Sequence, residues 1–190
     1  MTFGKIVKKT KIDRREVIFR YLKIEDLEDL RKLHNDLVEE RAYIELQTKM
    51  TKSTQLEWLL EKIKKIEDKE GILLVIEEGG KAKGYGLIER FGLTIPAFHI
   101  GELNMCLAKD IRRQGYGTHL FLNLMREIKK LLKIKIIFID IAKPNKAALN
   151  FYEKLGFKTV GKIRRGFRYY KRYLDDIISV KYLLKLRKVG

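Results

Sequence analysis

Apolar residues recur along the chain at two spacings. Helical spacing places Leu27, Leu30, Leu33 and Leu37 on one face of a helix that opens at Ile24-Glu25-Asp26 and runs to about Glu40. Thr54–Ile66 predicts a second helix, with Thr54 as its N-cap and Glu57 completing a capping box. Gly117–Leu132 is strongly amphipathic: Leu120, Phe121, Leu124, Ile128 and Leu131 share a face. Ala147–Leu155 predicts a fourth helix, stopped by Gly156. Between these lie runs that predict strands at Val17–Tyr21, Ile72–Glu77, Lys83–Glu89, His99–Leu107, Ile134–Ile141, Phe157–Gly161 and Ile177–Leu184. Gly79-Gly80 joins the second and third as a hairpin. The near-continuous apolar run Ile134–Ile141 suits a strand buried on both faces. Residues 1–16 are basic and suit a loose arm or an edge segment. The predicted order is β-α-α-β-β-β-α-β-α-β-β. With no internal repeat and no low-complexity linker, one domain over residues 1–190 is expected.

Composition narrows the setting. About 45% of residues are hydrophobic, enough for a sizeable core. A lone cysteine, Cys106, rules out an intramolecular disulfide and a thiolate zinc cluster, so no metal site is expected. The first residues lack an apolar signal core and no apolar run approaches 18 residues, so a soluble, cytoplasmic protein is expected, without membrane contact. The formal net charge of +17 attracts polyanions, or belongs to a lysine-rich surface such as proteins from hot environments carry.

The segment Arg112-Arg113-Gln114-Gly115-Tyr116-Gly117 lies between a predicted strand and the amphipathic helix. Free N–H groups and partial positive charge at a helix start, two glycines without Cβ atoms and two arginines together suit a diphosphate. The plain reading is a helix-entry turn with a basic flank. A dinucleotide fingerprint with Asp140 as its acidic residue fails, because Leu120 occupies the third glycine position and the loop begins several residues after its strand.

Met105–Leu120, with Arg112-x-x-Gly115-x-Gly117, resembles motif A of the GNAT superfamily of acyl-CoA N-acyltransferases. Asn145-Lys-Ala-Ala148-Leu-Asn-Phe-Tyr152-Glu-Lys-Leu-Gly156-Phe157 resembles its motif B. The clear resemblance covers roughly Glu102–Gly161, and the ending Arg172-Tyr-Leu-Asp175-Asp-Ile-Ile is similar to the branch with ribosomal-protein and polyamine acetyltransferases. The resemblance implies an α+β fold with a mostly antiparallel sheet that splays where two central strands part, flanked by helices. It implies acetyl-CoA in that cleft. Backbone groups of Met105, Cys106 and Leu107 would pair with the pantetheine arm, and residues Arg112, Arg113, Gln114, Gly115, Tyr116, Gly117 and Thr118 would cradle the pyrophosphate. Asn145 would hydrogen-bond the cofactor arm, and Tyr152 would lie beside the sulfur as general acid or hydrogen-bond donor.

Each of these residues also has a plainer reading. Tyr152 alone suits a half-buried core tyrosine. Cys106 has no recognisable histidine partner in sequence among His34, His99 and His119, and suits a small buried hydrophobe. Glu102 is the first candidate for general base; it sits one place out of the family register, which a β-bulge would absorb. His99 is the second, and a water chain the third. The backbone near Leu107 would polarise the acyl carbonyl. The basic, aromatic segment Arg164–Tyr173 suits a substrate loop with Tyr169 and Tyr170 lining a tunnel, a single-stranded nucleic-acid surface, or a solvated hairpin. The expected function is direct acetyl transfer from acetyl-CoA to an amine (a protein N-terminus, a lysine or a small amine), with RNA or ribosome contact through basic patches and an oligomer both open. The alternative is an inactive RNA- or ribosome-binding module of the same fold.

Overall fold

The computed structural model describes residues 3–91 and 99–183. Its elements are β1 (Ile6–Ile12), β2 (Arg15–Tyr21), α1 (Leu27–Glu39), α2 (Lys52–Glu67), β3 (Gly71–Glu78), β4 (Lys81–Arg90), β5 (Ile100–Leu107), α3 (Tyr116–Leu131), β6 (Ile136–Ala142), α4 (Lys146–Lys154), β7 (Lys158–Tyr169) and β8 (Arg172–Tyr182). The predicted order holds with one addition: the basic N-terminal segment forms an edge strand, β1, folded onto β2 through a turn at Asp13 and Arg14. Met1, Thr2 and Leu184 of the expected segments lie outside the described residues.

The eight strands form one sheet in the order β1-β2-β3-β4-β5-β6-β8-β7. Every neighbouring pair is antiparallel except β5–β6. Helices cover both faces, so the sheet separates two cores. On one side Leu30, Leu33 and Leu37 of α1 and Leu59 and Ile66 of α2 pack on Leu73, Val75, Tyr85 and Leu87. On the other, Leu120, Phe121, Leu124 and Ile128 of α3 pack on Phe19, Leu74, Ile88 and Leu103, with Leu149 and Phe151 of α4 beside them. Each α3 side chain named is no more than 3% exposed, and burying one contributes about 1.5–3 kcal/mol. The α3 stripe predicted from its spacing is therefore what fixes that helix to the sheet.

Two predicted details are corrected. The N-cap of α2 is Thr51, whose side chain accepts from the Thr54 N–H at 3.2 Å, and Glu57 accepts from Ser53 Oγ at 3.3 Å instead of closing a box. In β6, Ile137, Ile139 and Ile141 are buried under α3 and α4, but Ile136, Phe138 and Asp140 are only half-buried. The strand is not covered on both faces because its neighbour leaves it. Pairing of β5 with β6 is confined to Ile100–Glu102 against Ile136–Phe138. Beyond Glu102 the two strands part, and β5 continues in register with β4 alone as far as Leu107.

The last hairpin is longer than its sequence suggested. β7 runs through the basic segment to Tyr169 and turns into β8, with a bulge between Ile163 and Phe167 where Arg165 has a φ of 55°.

Candidate active site: the cleft between the parted strands

The gap between β5 and β6 is a cleft of about 660 Å³. Its walls are residues of β4, β5 and β6, His34 of α1, Trp58 and Lys62 of α2, the α1–α2 connection, α4 as far as Tyr152, and Phe167 of β7. Above it, the tip of the β7–β8 hairpin is tied to that connection. The Tyr169 hydroxyl donates to the Arg41 carbonyl at 2.6 Å and the Tyr170 hydroxyl to the Val38 carbonyl at 3.3 Å. Gln47 donates to the Arg168 carbonyl and accepts from the Tyr170 N–H. Phe167 lines the cleft; Tyr169 and Tyr170 do not, because they form this tie. That corrects the expected tunnel.

The parted edge of β5 has a free side. Phe91 N–H donates to the Ile100 carbonyl and Ala108 N–H to the Lys83 carbonyl. By the alternation of an antiparallel ladder, even-numbered residues of β5 therefore direct their backbone groups to β4 and odd-numbered residues direct theirs to the cleft. Met105 and Leu107 thus offer backbone groups to a ligand, while those of Cys106 pair with Tyr85 across the ladder. The Leu107 carbonyl accepts from Arg112 Nε at 2.9 Å, which leaves its N–H.

At the mouth of this edge, Arg112–Thr118 lead into α3. The backbone N–H groups from Arg113 to Thr118 donate to no group among the described residues, and α3 has no side-chain cap. Gly115 adopts a φ of 89°, open to glycine at no cost. At Gly117 a Cβ would lie 3.2 Å from Phe151 Cζ, so glycine lets the start of α3 sit close to α4. The side chains do other work than expected. Arg112 forks onto Glu40 at 2.6 and 3.2 Å, so its charge is neutralised within the fold. Gln114 bonds to Arg15 and to the Asp110 carbonyl. Tyr116 is fully buried with its hydroxyl on Glu78. Arg113 remains exposed. The groups of this loop that could hold an anion are therefore its backbone N–H groups, with Arg113 as the added charge.

Tyr152 projects from α4 into the cleft, 8% exposed, against Phe151 and Phe157. Its hydroxyl makes no hydrogen bond among the described residues. Burial, then the Cys106 and Asp140 charges, push its pKa well up, so the phenol stays protonated. Asn145 caps α4, its Oδ1 accepting from Ala148 N–H at 3.2 Å; its Nδ2 is the group left for a ligand. Glu102 faces the cleft with Asn104 Nδ2 at 3.4 Å from its Oε1. Burial raises its pKa, and the charges of Asp140, Glu45 and Glu89 raise it further. The β4–β5 ladder runs without a bulge, so the offset of Glu102 is not absorbed in that way. His99 does not line the cleft; it sits ahead of β5 with its carbonyl bonded to Lys135 and Ile136.

Cys106 lies in the cleft wall beside Tyr85, and burial pushes its thiol pKa up, which suits a small hydrophobe rather than a nucleophile. His34, which no sequence signal linked to it, lies one hydrogen bond beyond Tyr85. Burial lowers the His34 pKa and keeps the ring neutral. Its Nδ1–H donates to Gln55 Oε1 at 2.7 Å and its Nε2 accepts from the Tyr85 hydroxyl at 3.0 Å. Sequence reasoning also missed Glu45, Asp140 and Trp58 as cleft residues. Nothing in the local pattern marks them, since they come from three different elements.

The Acetyltransferase (GNAT) family profile matches residues 30–157, from α1 past the end of α4. The chain belongs to the GNAT family. An N-alpha-acetyltransferase from Sulfurisphaera tokodaii is 23% identical over 114 residues, 55% of this chain and 67% of that one. Among solved structures, the ribosomal-protein-alanine N-acetyltransferase from Brucella melitensis is 25% identical with a TM-score of 0.78, covering 87% of this chain and 99% of that one. A phosphinothricin acetyltransferase from Sinorhizobium meliloti, solved with acetyl-CoA, shares the fold at 18% identity and a TM-score of 0.76, covering 87% and 88%. This GNAT chain is an acetyl-CoA-dependent acetyltransferase. Among the described residues no cluster of metal-ligating side chains occurs, and no helix is long and apolar enough to cross a membrane.

Proposed function

We propose that this acetyltransferase transfers the acetyl group directly to an amine, a protein N-terminus or a small amine, bound under the β7–β8 hairpin. The observation that carries the reading is the unpartnered Tyr152 hydroxyl, open to the cleft, together with the unpartnered N–H groups of Arg113–Thr118 at the start of α3, which sits against Phe151 of the same helix as Tyr152 and against Leu107 at the end of β5. Those N–H groups fit a pyrophosphate, and the free edge of Met105 and Leu107 together with Asn145 Nδ2 fits the pantetheine arm. Acetyl-CoA supplies the activated acyl group as a thioester.

The chain's own groups then have separable tasks. Tyr152 presents a proton at its hydroxyl to the departing sulfur. Moving a proton from an ordinary phenol near pKa 10 to a thiolate near 8.5 is uphill by about 2 kcal/mol. Burial raises that cost here, which favours a strong hydrogen bond at Oη over full transfer. Glu102, with its raised pKa, is a stronger base than a free carboxylate and takes the amine proton directly or through water. Freeing an α-amine near pKa 8 at pH 7 costs about 1.4 kcal/mol, against about 4.6 kcal/mol for a lysine near 10.4, so an α-amine asks less of that base.

The test is thiol release from acetyl-CoA against a panel of peptides, free amines and amino sugars. Turnover that needs both acetyl-CoA and an amine, with acetylated product seen by mass spectrometry, is expected. Hydrolysis alone, or no dependence on the amine, would refute direct transfer.

A further inference from the structure

The acceptor side of the cleft carries charge of the opposite sign to the chain as a whole. The formal net charge is +17. Yet of the five lysine and acidic residues lining the cleft, four are acids: Glu45, Glu89, Glu102 and Asp140. The fifth, Lys62, is already paired, with Nζ 3.0 and 3.1 Å from the two Glu89 oxygens and 3.1 Å from Glu61. Lys65 adds a second cation to Glu89 at 3.0 Å. Glu89 and Lys62 therefore cancel within the wall. Glu45, Glu102 and Asp140 have no ion-pair partner among the described residues.

Asp176, buried behind that lining, is a fourth acid without an ion-pair partner among the described residues. It pairs with Ala142 across the β6–β8 ladder, and Asp140 lies two residues before Ala142. Directly opposed residues project to the same face, as do residues two apart on a strand. Asp176 therefore projects from the same face as Ala142 and Asp140, both of which line the cleft. It is 6% exposed, and its Oδ1 has no hydrogen-bond partner. A buried acceptor without a donor costs about 1–3 kcal/mol unless something else satisfies it. Burial, then the charges of Asp140 and Glu45, push its pKa up against the backbone N–H groups of Ile177 and Ile141, which lower it, so it lies within reach of the same field.

We infer that the cleft is built for an acceptor carrying a second positive charge beside the amine that is acetylated. Glu102 faces the reacting amine, and Asp140, Asp176 and Glu45 take the other ammonium or guanidinium. The assignment rests on the acetyl-transfer reading above for which amine reacts, though not for the charge recognition itself. The shared chemistry is a dication, which a small diamine or a peptide N-terminus followed by a basic residue both supply.

Matched acceptor pairs test it: putrescine against butylamine, and a short peptide with lysine at its second position against one with norleucine there. The charged member of at least one pair is expected to have a kcat/KM higher by about tenfold or more at low salt. A preference confined to the peptide pair identifies a peptide acceptor; one confined to the amine pair identifies a small polycation. Binding is read independently of turnover from the fluorescence of Trp58, the chain's one tryptophan, which lines the cleft. In Asp140→Asn/Asp176→Asn the charged-to-neutral ratio falls toward one. Asp140→Asn alone, at a half-buried side chain, serves if the double variant does not fold. Turnover with equal kcat/KM and equal fluorescence titrations within both pairs would overturn the inference and leave acetyl transfer standing. Selective binding of the charged members without acetylation of any amine would do the reverse.

Discussion

Tyr152→Phe separates chemistry from structure, because the hydroxyl it removes supports nothing inside the fold. The ring stays packed on Phe151 and Phe157, and no internal hydrogen bond is lost, so the melting temperature should hold to within what about 0.5 kcal/mol produces. The loss falls on turnover. A hydrogen bond to a charged partner contributes about 1.5–3 kcal/mol, so kcat should fall by about ten- to 150-fold. Acetyl-CoA affinity, which the proposed reading assigns to backbone groups elsewhere, should change by less than about twofold. Saturating thiol-release kinetics give kcat, and a Trp58 fluorescence titration gives the affinity. A second consequence follows from burial, which keeps the phenol protonated far into the alkaline range: no alkaline fall in kcat belongs to Tyr152 in the wild type. A variant with unchanged kcat, or one whose kcat falls only alongside acetyl-CoA affinity, would refute the reasoning.

Two further outcomes follow from the same structure. Gly117→Glu puts a carboxylate among the free N–H groups of Arg113–Thr118 and a Cβ against Phe151; the thermal shift produced by acetyl-CoA should vanish while the circular dichroism spectrum persists, and a retained shift would count against the phosphate role of the loop. Asp176 has a folded pKa raised above its ordinary 3.8, so its contribution to stability is present below that value and lost as pH rises through the folded pKa. Asp176→Asn should therefore raise Tm at pH 7 by roughly 2–4 °C, the response to about 1 kcal/mol in a chain of this size, and the gain should shrink toward pH 4. A gain independent of pH would remove the charge from the explanation.

Elements whose periodicity is set by one buried face were legible in the sequence. The α3 stripe is the clearest case: Leu120, Phe121, Leu124 and Ile128 are buried as their spacing predicts, and only Leu131, in the last turn, is left exposed. The two motifs carried the positions of the loop and of Tyr152 because local turn chemistry and helix capping fix them. β1 was hidden because it is an edge strand, with six of its seven residues not buried, so no apolar alternation marks it. β7 was shortened for the same reason, its Arg164–Gly166 stretch bulging outward. The β6 run misled in the opposite direction: its apolar face toward the cleft looks like core until the parting of β5 is known. Glu45, Glu102, Asp140 and Asp176 could not be read as a group, since they belong to a connection and three strands that only the tertiary fold brings together. Arg112 shows the converse, a residue inside a motif whose charge is taken by Glu40, 72 positions away.

The parted sheet also makes the molecule a pair of tongs. One arm is β1–β5 and the other β6–β8; they are riveted at Ile100–Glu102 and pinched together again, across the opening, by Tyr169 and Tyr170 on the carbonyls of Arg41 and Val38. The opening is thus closed at its two ends by small seams, over a core of α3 and α4 side chains that both arms share. On the reading proposed above, the size of acceptor admitted becomes adjustable from the rim, through the hold of the hairpin tip on Arg41 and Val38.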